Sequence, residues 1–131
     1  MKRLIATLAL ATVALAAAAC SSTNAGGGSP APSAGPADPN APVIVADQLR
    51  FTTAEVTVPA GKPFQLTFDN REGPPHNVAI YTDASASQVV YQGEIFGGPA
   101  VKVYDVPALD AGTYFFRCDV HPDMTGTLVA K

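Results

Sequence analysis

The sequence predicts an all-β fold, a two-sheet antiparallel β-sandwich with Greek-key connections. Three observations carry that expectation. Apolar and polar residues alternate with a period of two, most clearly where Phe64, Leu66 and Phe68 interleave with Gln65, Thr67 and Asp69. Short apolar runs are separated by Gly/Pro turn signals such as Pro59-Ala60-Gly61. No stretch after Pro42 has a helical period; only Thr82 to Gln88 has room for a helical turn. About seven or eight short strands in one small domain suit a sandwich.

The strands read in order as follows. Val43-Ile44-Val45 opens the domain with β-branched residues, and Leu49 and Phe51 alternate with Arg50. Glu55 to Val58 runs into the first turn, and Phe64 to Asp69 forms the next strand. A polar loop from Asn70 to Pro75 leads to Val78 and Ile80 on one face of another. Val89-Val90-Tyr91 is a short strand, followed by a glycine-rich loop from Gly93 to Pro99. Val101, Val103 and Asp105 face one way, with Lys102, Tyr104 and Val106 facing the other. Thr113 to Cys118 is aromatic-rich and suits a central strand, and Thr125 to Lys131 closes the chain.

The first third of the 131-residue chain differs. Lys2 and Arg3 precede an apolar run, Leu4 to Leu15, and a string of alanines. Residues 1–19 therefore have the layout of a secretory signal, at the short end for a membrane span. Cys20 follows at once. A cysteine after small residues resembles a bacterial lipoprotein signal, which implies acylation of Cys20. The usual leucine three positions earlier is replaced by Ala17, with Leu15 two further back. Ordinary cleavage within the alanines, releasing a soluble protein, is the alternative. A Cys20–Cys118 disulfide is a third option in an oxidising compartment. The remainder of 20–42 is mostly Gly, Ser, Ala, Pro and Asn. It has too little apolar surface to offset chain entropy and reads as a flexible spacer between an anchor and the domain, residues 43–131.

The net charge is -3. Setting aside Lys2, Arg3 and Asp38 leaves six basic and ten acidic residues. That balance excludes a nucleic-acid binder, which needs a basic face to displace counterions, and electrostatic adhesion to anionic lipid. Membrane contact is left to the N-terminal lipid.

Near the end stands Arg117-Cys118-Asp119-Val120-His121-Pro122-Asp123-Met124. A thiol, an imidazole and a thioether recur every third residue between two predicted strands, so one tight loop can aim all three at a point. Pro122 stiffens that loop. His76, in Pro74-Pro75-His76-Asn77, sits where a loop enters a strand. Together these supply two His, one Cys and a Met, the ligand inventory of an electron-transfer copper site. Ligation also accounts for an unpaired Cys118 in an exported protein. Zinc is less suited, because methionine is a poor zinc ligand. Taken singly, His76 reads as a surface loop residue, Met124 as core packing and Cys118 as a small buried hydrophobe; the set reads as a metal site. Asp119 and Asp123 read as solvated loop residues.

The segment GTYFFRCDVHPDMTGTLVAK, with PPHNVAIYT and VTVPAGKPFQLTFDN upstream, resembles the cupredoxins over residues 43–131. The resemblance is to plastocyanin and, in loop length, more to amicyanin; plastocyanins carry two more residues between His and Met. It implies an eight-stranded sandwich holding one type 1 copper, with His76, Cys118 and His121 as strong ligands and Met124 axial. It implies that Asn77 ties its strand to the ligand loop. It also implies that electrons pass through the outer edge of His121, in an apolar surface containing Pro122, Pro74, Pro75 and Phe96. The expected function is single-electron transfer between redox proteins outside the cytoplasm by a lipid-anchored monomer. A copper-delivery protein using the same ligands is the alternative. An enzyme is not expected: with His76 and His121 the whole imidazole supply, a catalytic copper would lack ligands. A metal-free adhesion sandwich has only the fold class in its favour.

Overall fold

The computed structural model describes residues 38–131. The expected signal at 1–19, Cys20 and the spacer up to residue 37 lie outside the described residues. Among the described residues nine strands are formed, against the eight that the resemblance implies: β1 Val43–Asp47, β2 Arg50–Phe51, β3 Glu55–Val58, β4 Phe64–Asn70, β5 Ala79–Tyr81, β6 Val89–Gln92, β7 Ala100–Val106, β8 Gly112–Arg117 and β9 Thr125–Ala130. They make a four-stranded sheet in the order β2-β1-β4-β7 and a five-stranded sheet in the order β3-β9-β8-β5-β6. The expected all-β sandwich is present.

Most neighbours pair antiparallel, as expected, but β1 pairs β4 and β3 pairs β9 in parallel. The reason is the path of the chain. It leaves the first sheet after β2, runs through β3 in the other sheet, and returns as β4. Such a crossover is what parallel neighbours require. Alternation along a strand says which face is buried and nothing about the direction of its neighbour.

The core lies where that alternation places it. Leu66 and Phe68 of β4, and Tyr104 and Val106 of β7, point inward onto Ile80, Phe116 and Leu128 of the facing sheet, and all are buried. Each such side chain contributes about 1.5–3 kcal/mol by leaving water. Aromatic rings link the layers: Phe51 lies 6.1 Å from Phe68 and 5.4 Å from Phe116, and Phe68 lies 5.4 Å from Phe96. The last contact matters for function, because Phe96 borders the site.

Three local readings change. Leu49 does not share a buried face with Phe51. Gln48 and Leu49 form the two-residue turn between β1 and β2, at φ 55° and 57°, and Leu49 is 54% exposed. Paired left-handed residues are what such a hairpin turn demands, and neither residue type signals it. The spacer was expected to stay flexible through Pro42, yet its last residues bond to β4. The Asp38 amide donates to Gln65 Oε1 at 2.7 Å, and the Pro42 carbonyl accepts from the Thr67 amide at 2.9 Å. Residues 82–88 form a turn without helix, closed by Ala86 N–H to the Asp83 carbonyl at 3.1 Å.

Candidate metal centre

The last antiparallel pair of β8 and β9 is Arg117 with Thr125. Cys118 to Met124 is therefore the loop of a hairpin, anchored at both ends. The Cys118 amide donates to the Met124 carbonyl at 3.0 Å, and the Met124 amide donates to the His121 carbonyl at 2.9 Å. These bonds and the fixed φ of Pro122 give the loop one shape. In that shape Cys118 Sγ lies 3.8 Å from His121 Nδ1. Met124 is buried at the loop's end.

His76 comes from the segment just before the neighbouring strand, β5. β5 pairs with β8 through Ala79 opposite Arg117. Continuing that register outward brings the residues before Ala79 alongside those after Arg117. His76 is held by a two-way backbone bridge to Phe96, with N–H to carbonyl distances of 3.1 and 3.0 Å. Asn70, buried at the end of β4, shapes the intervening loop. Its amide donates to the Pro74 and Phe96 carbonyls at 3.0 and 3.1 Å, and its oxygen accepts from the Glu72 amide at 3.2 Å.

The outcome is a convergence. Cys118 Sγ lies 3.7 Å from His76 Nδ1, and the two imidazole rings are 4.7 Å apart. The ligand atoms of His76, Cys118 and His121 all lie within 4.8 Å of one another. His76 and Cys118 are 0% exposed, whereas His121 is half-buried. The structure thus brings together three of the four donors expected from sequence, His76, Cys118 and His121, with Met124 buried on the same loop as the last two.

His76 Nε2 lies 3.0 Å from Glu72 Oε1, which also accepts from the Leu49 amide at 2.8 Å. A carboxylate can only accept, so Nε2 carries the proton and Nδ1 presents its lone pair toward Cys118. Burial pushes the His76 imidazole below its ordinary pKa; Glu72 opposes this and His121 adds to it. A neutral imidazole with a free Nδ1 is the form that ligates a metal.

The expectation for Asp119 is corrected. It is not a solvated loop acid. Its carboxylate accepts from Asn77 Nδ2 at 2.8 Å, from Gln92 Nε2 at 2.7 Å and from the Tyr81 hydroxyl. Its amide donates to Asn77 Oδ1 at 2.8 Å. Burial pushes its pKa up, but the bonds from Tyr81, Asn77 and Gln92, with Arg117 nearby, outweigh that and hold it below the ordinary carboxylate value. Asn77 also donates to the Gly93 carbonyl at 3.1 Å. Gly93 is packed so closely that a β-carbon there would lie 2.7 Å from the Tyr104 ring, so no larger residue fits without movement. Asp123, by contrast, is exposed as expected.

Pro74, Pro75 and Pro122 are exposed and Phe96 is partly buried. Sequence reasoning missed Glu72, Asn70, Tyr81 and Gln92. Only Glu72, four residues before His76 on a Gly/Pro loop that can fold back, carried a local signal.

The fold and site define a β-sandwich with a mononuclear centre of two imidazoles and a thiolate. That donor set fits copper: the thiolate suits Cu(I), the imidazoles suit both oxidation states, and among the described residues no carboxylate joins the cluster of three. The comparisons agree. Residues 7–130 match the cupredoxin-like domain, and the chain belongs to that family. It is 30% identical over 96 residues to amicyanin from Paracoccus versutus, covering 73% of this chain and 67% of that protein. It is 35% identical over 77 residues to plastocyanin A/B from Petroselinum crispum, covering 56% and 76%. Among solved structures it resembles dithionite-reduced auracyanin from the photosynthetic bacterium Roseiflexus castenholzii, with TM-score 0.62, 21% identity and coverage of 73% and 99%. It also resembles amicyanin from Paracoccus versutus, with TM-score 0.56, 28% identity and coverage of 72% and 84%.

Proposed function

We propose that this protein is a type 1 blue copper carrier that passes single electrons between redox proteins outside the cytoplasm. The observation that carries the reading is the convergence of the ligand atoms of His76, Cys118 and His121 within 4.8 Å, on segments locked by their own hydrogen bonds. His76, Cys118 and His121 would hold the copper, and Met124, buried on the same loop, would supply a weaker thioether donor. Copper bound there supplies a one-electron couple. The protein's part is to hold the ligands in one arrangement for both oxidation states and to keep water out. Buried His76, Cys118 and Met124 do the second; the hairpin and the Phe96 bridge do the first.

His121 is the one of the three that is not fully buried, so its outer edge is the route for electrons. Pro74, Pro75 and Pro122 form the apolar surface around that route. Residues 1–19 direct export, and acylated Cys20 with the spacer tethers a monomer to the membrane. With two histidines already committed, the chain is a carrier and not an enzyme.

The test is electron self-exchange between oxidised and reduced copper-loaded full-length chains, run beside a Cu(I) chelator challenge. Exchange with the copper retained supports the carrier. Rapid surrender of Cu(I) with negligible exchange supports delivery instead.

A further inference from the structure

We propose that Asp119 is a positioning residue whose partly buried negative charge biases the bound copper toward Cu(II). This rests on the copper reading above.

The geometry has two parts. The first is a clamp. Asp119 follows Cys118, and Asn77 follows His76. Their paired bonds, Asp119 N–H to Asn77 Oδ1 and Asn77 Nδ2 to Asp119 Oδ2, are both 2.8 Å. The segments that carry two of the donors are thereby laced together one residue beyond each. The clamp's backbone half survives any side chain at position 119.

The second part is the charge. A neutral residue at 119 would keep the backbone half of the clamp, yet the site holds a carboxylate surrounded by three donors: Asn77, Gln92 and Tyr81. Donors that all favour the ionised form keep it ionised. Its cationic neighbour, Arg117, offsets only part of this. Arg117 Nε is 4.0 Å from Asp119 Oδ1 and makes no hydrogen bond itself, while the guanidinium is turned to Tyr81, lying 5.0 Å over its ring and against its hydroxyl. Partly buried, such a charge is screened less than one in open solvent. One residue from the thiolate, it stabilises the more positive metal state.

Tyr81 gives the proposal a second, opposite handle. Its hydroxyl draws charge from the carboxylate, so removing the hydroxyl strengthens the field that Asp119 exerts. A purely structural role would not produce opposite signs from two variants of one network.

The experiment is a spectroelectrochemical titration of the full chain, following the blue band in the parent, Asp119→Asn and Tyr81→Phe. At a fixed ambient potential, Asp119→Asn is expected to raise the Cu(I)/Cu(II) ratio about tenfold, which is about 59 mV for a one-electron couple. Tyr81→Phe is expected to lower the ratio about two- to threefold. Ratios that stay within about twofold of the parent in Asp119→Asn, or that move the same way in both variants, would overturn the proposal while leaving the copper site standing. If Asp119→Asn fails to fold, Tyr81→Phe decides alone: a lowered ratio supports the proposal, and an unchanged or raised one overturns it. A parent chain with no blue band would overturn the copper reading and this proposal with it.

Discussion

The Nε2 atom of His76 sits 3.0 Å from the Glu72 carboxylate four residues earlier, while its Nδ1 sits 3.7 Å from the sulfur of Cys118. The imidazole is thus pinned on one side and free to ligate on the other. Because Glu72 also holds the Leu49 amide, the pin is tied to the β1–β2 turn as well as to its own loop.

Glu72→Ala removes that pin. The ring loses its fixed tautomer and orientation, and copper affinity is expected to fall about 10- to 100-fold. Glu72→Gln, which keeps an accepting oxygen, is expected to lose less. Competition with a chelator of known affinity measures both. Equal affinity in parent and Glu72→Ala would show that packing alone orients the ring.

Asn77 is buried and makes three bonds, to Gly93, to the Asp119 carboxylate and from the Asp119 amide. Asn77→Ala leaves a buried carbonyl and a buried amide without their partner. The expected cost is about 2–4 kcal/mol of stability in the metal-free protein. Urea unfolding of the full chain reads it as a lower midpoint at unchanged slope.

Pro122 is exposed beside half-buried His121 and contributes no donor to the site. On the proposed route through His121, Pro122→Glu places a charge where two molecules would meet during self-exchange. The exchange rate is expected to fall at least about tenfold, since like charges facing each other across a contact repel. Copper affinity is expected to stay within about twofold, since every donor atom remains in place. Nuclear magnetic resonance line broadening in mixtures of oxidised and reduced protein gives the rate. Equal loss of exchange and affinity would remove Pro122 from the transfer surface.

The ligand loop was legible because Cys118, His121 and Met124 recur every third residue on one short stretch and their chemistry narrows the metal. His76 was legible because, from a loop-to-strand junction, it completes that donor set. The buried faces of β4 and β7 were legible from a strict period of two. What stayed hidden depends on partners that only the fold supplies. Asp119 looks like any loop aspartate until the β5–β8 register sets Asn77 opposite it and β6 delivers Gln92. Leu49 looks like a strand residue until the hairpin forces it into the left-handed region. The parallel pairings depend on a crossover through the opposite sheet, which no local pattern encodes.

The central claim is that Cys118 binds copper as a thiolate alongside His76 and His121. The most direct measurement is the visible and electron paramagnetic resonance spectrum of the full chain with one equivalent of Cu(II), repeated for Cys118→Ala. An intense blue thiolate-to-copper band that bleaches with a mild reductant and vanishes in Cys118→Ala is expected. A colourless protein, or a weak band indifferent to Cys118, would contradict it.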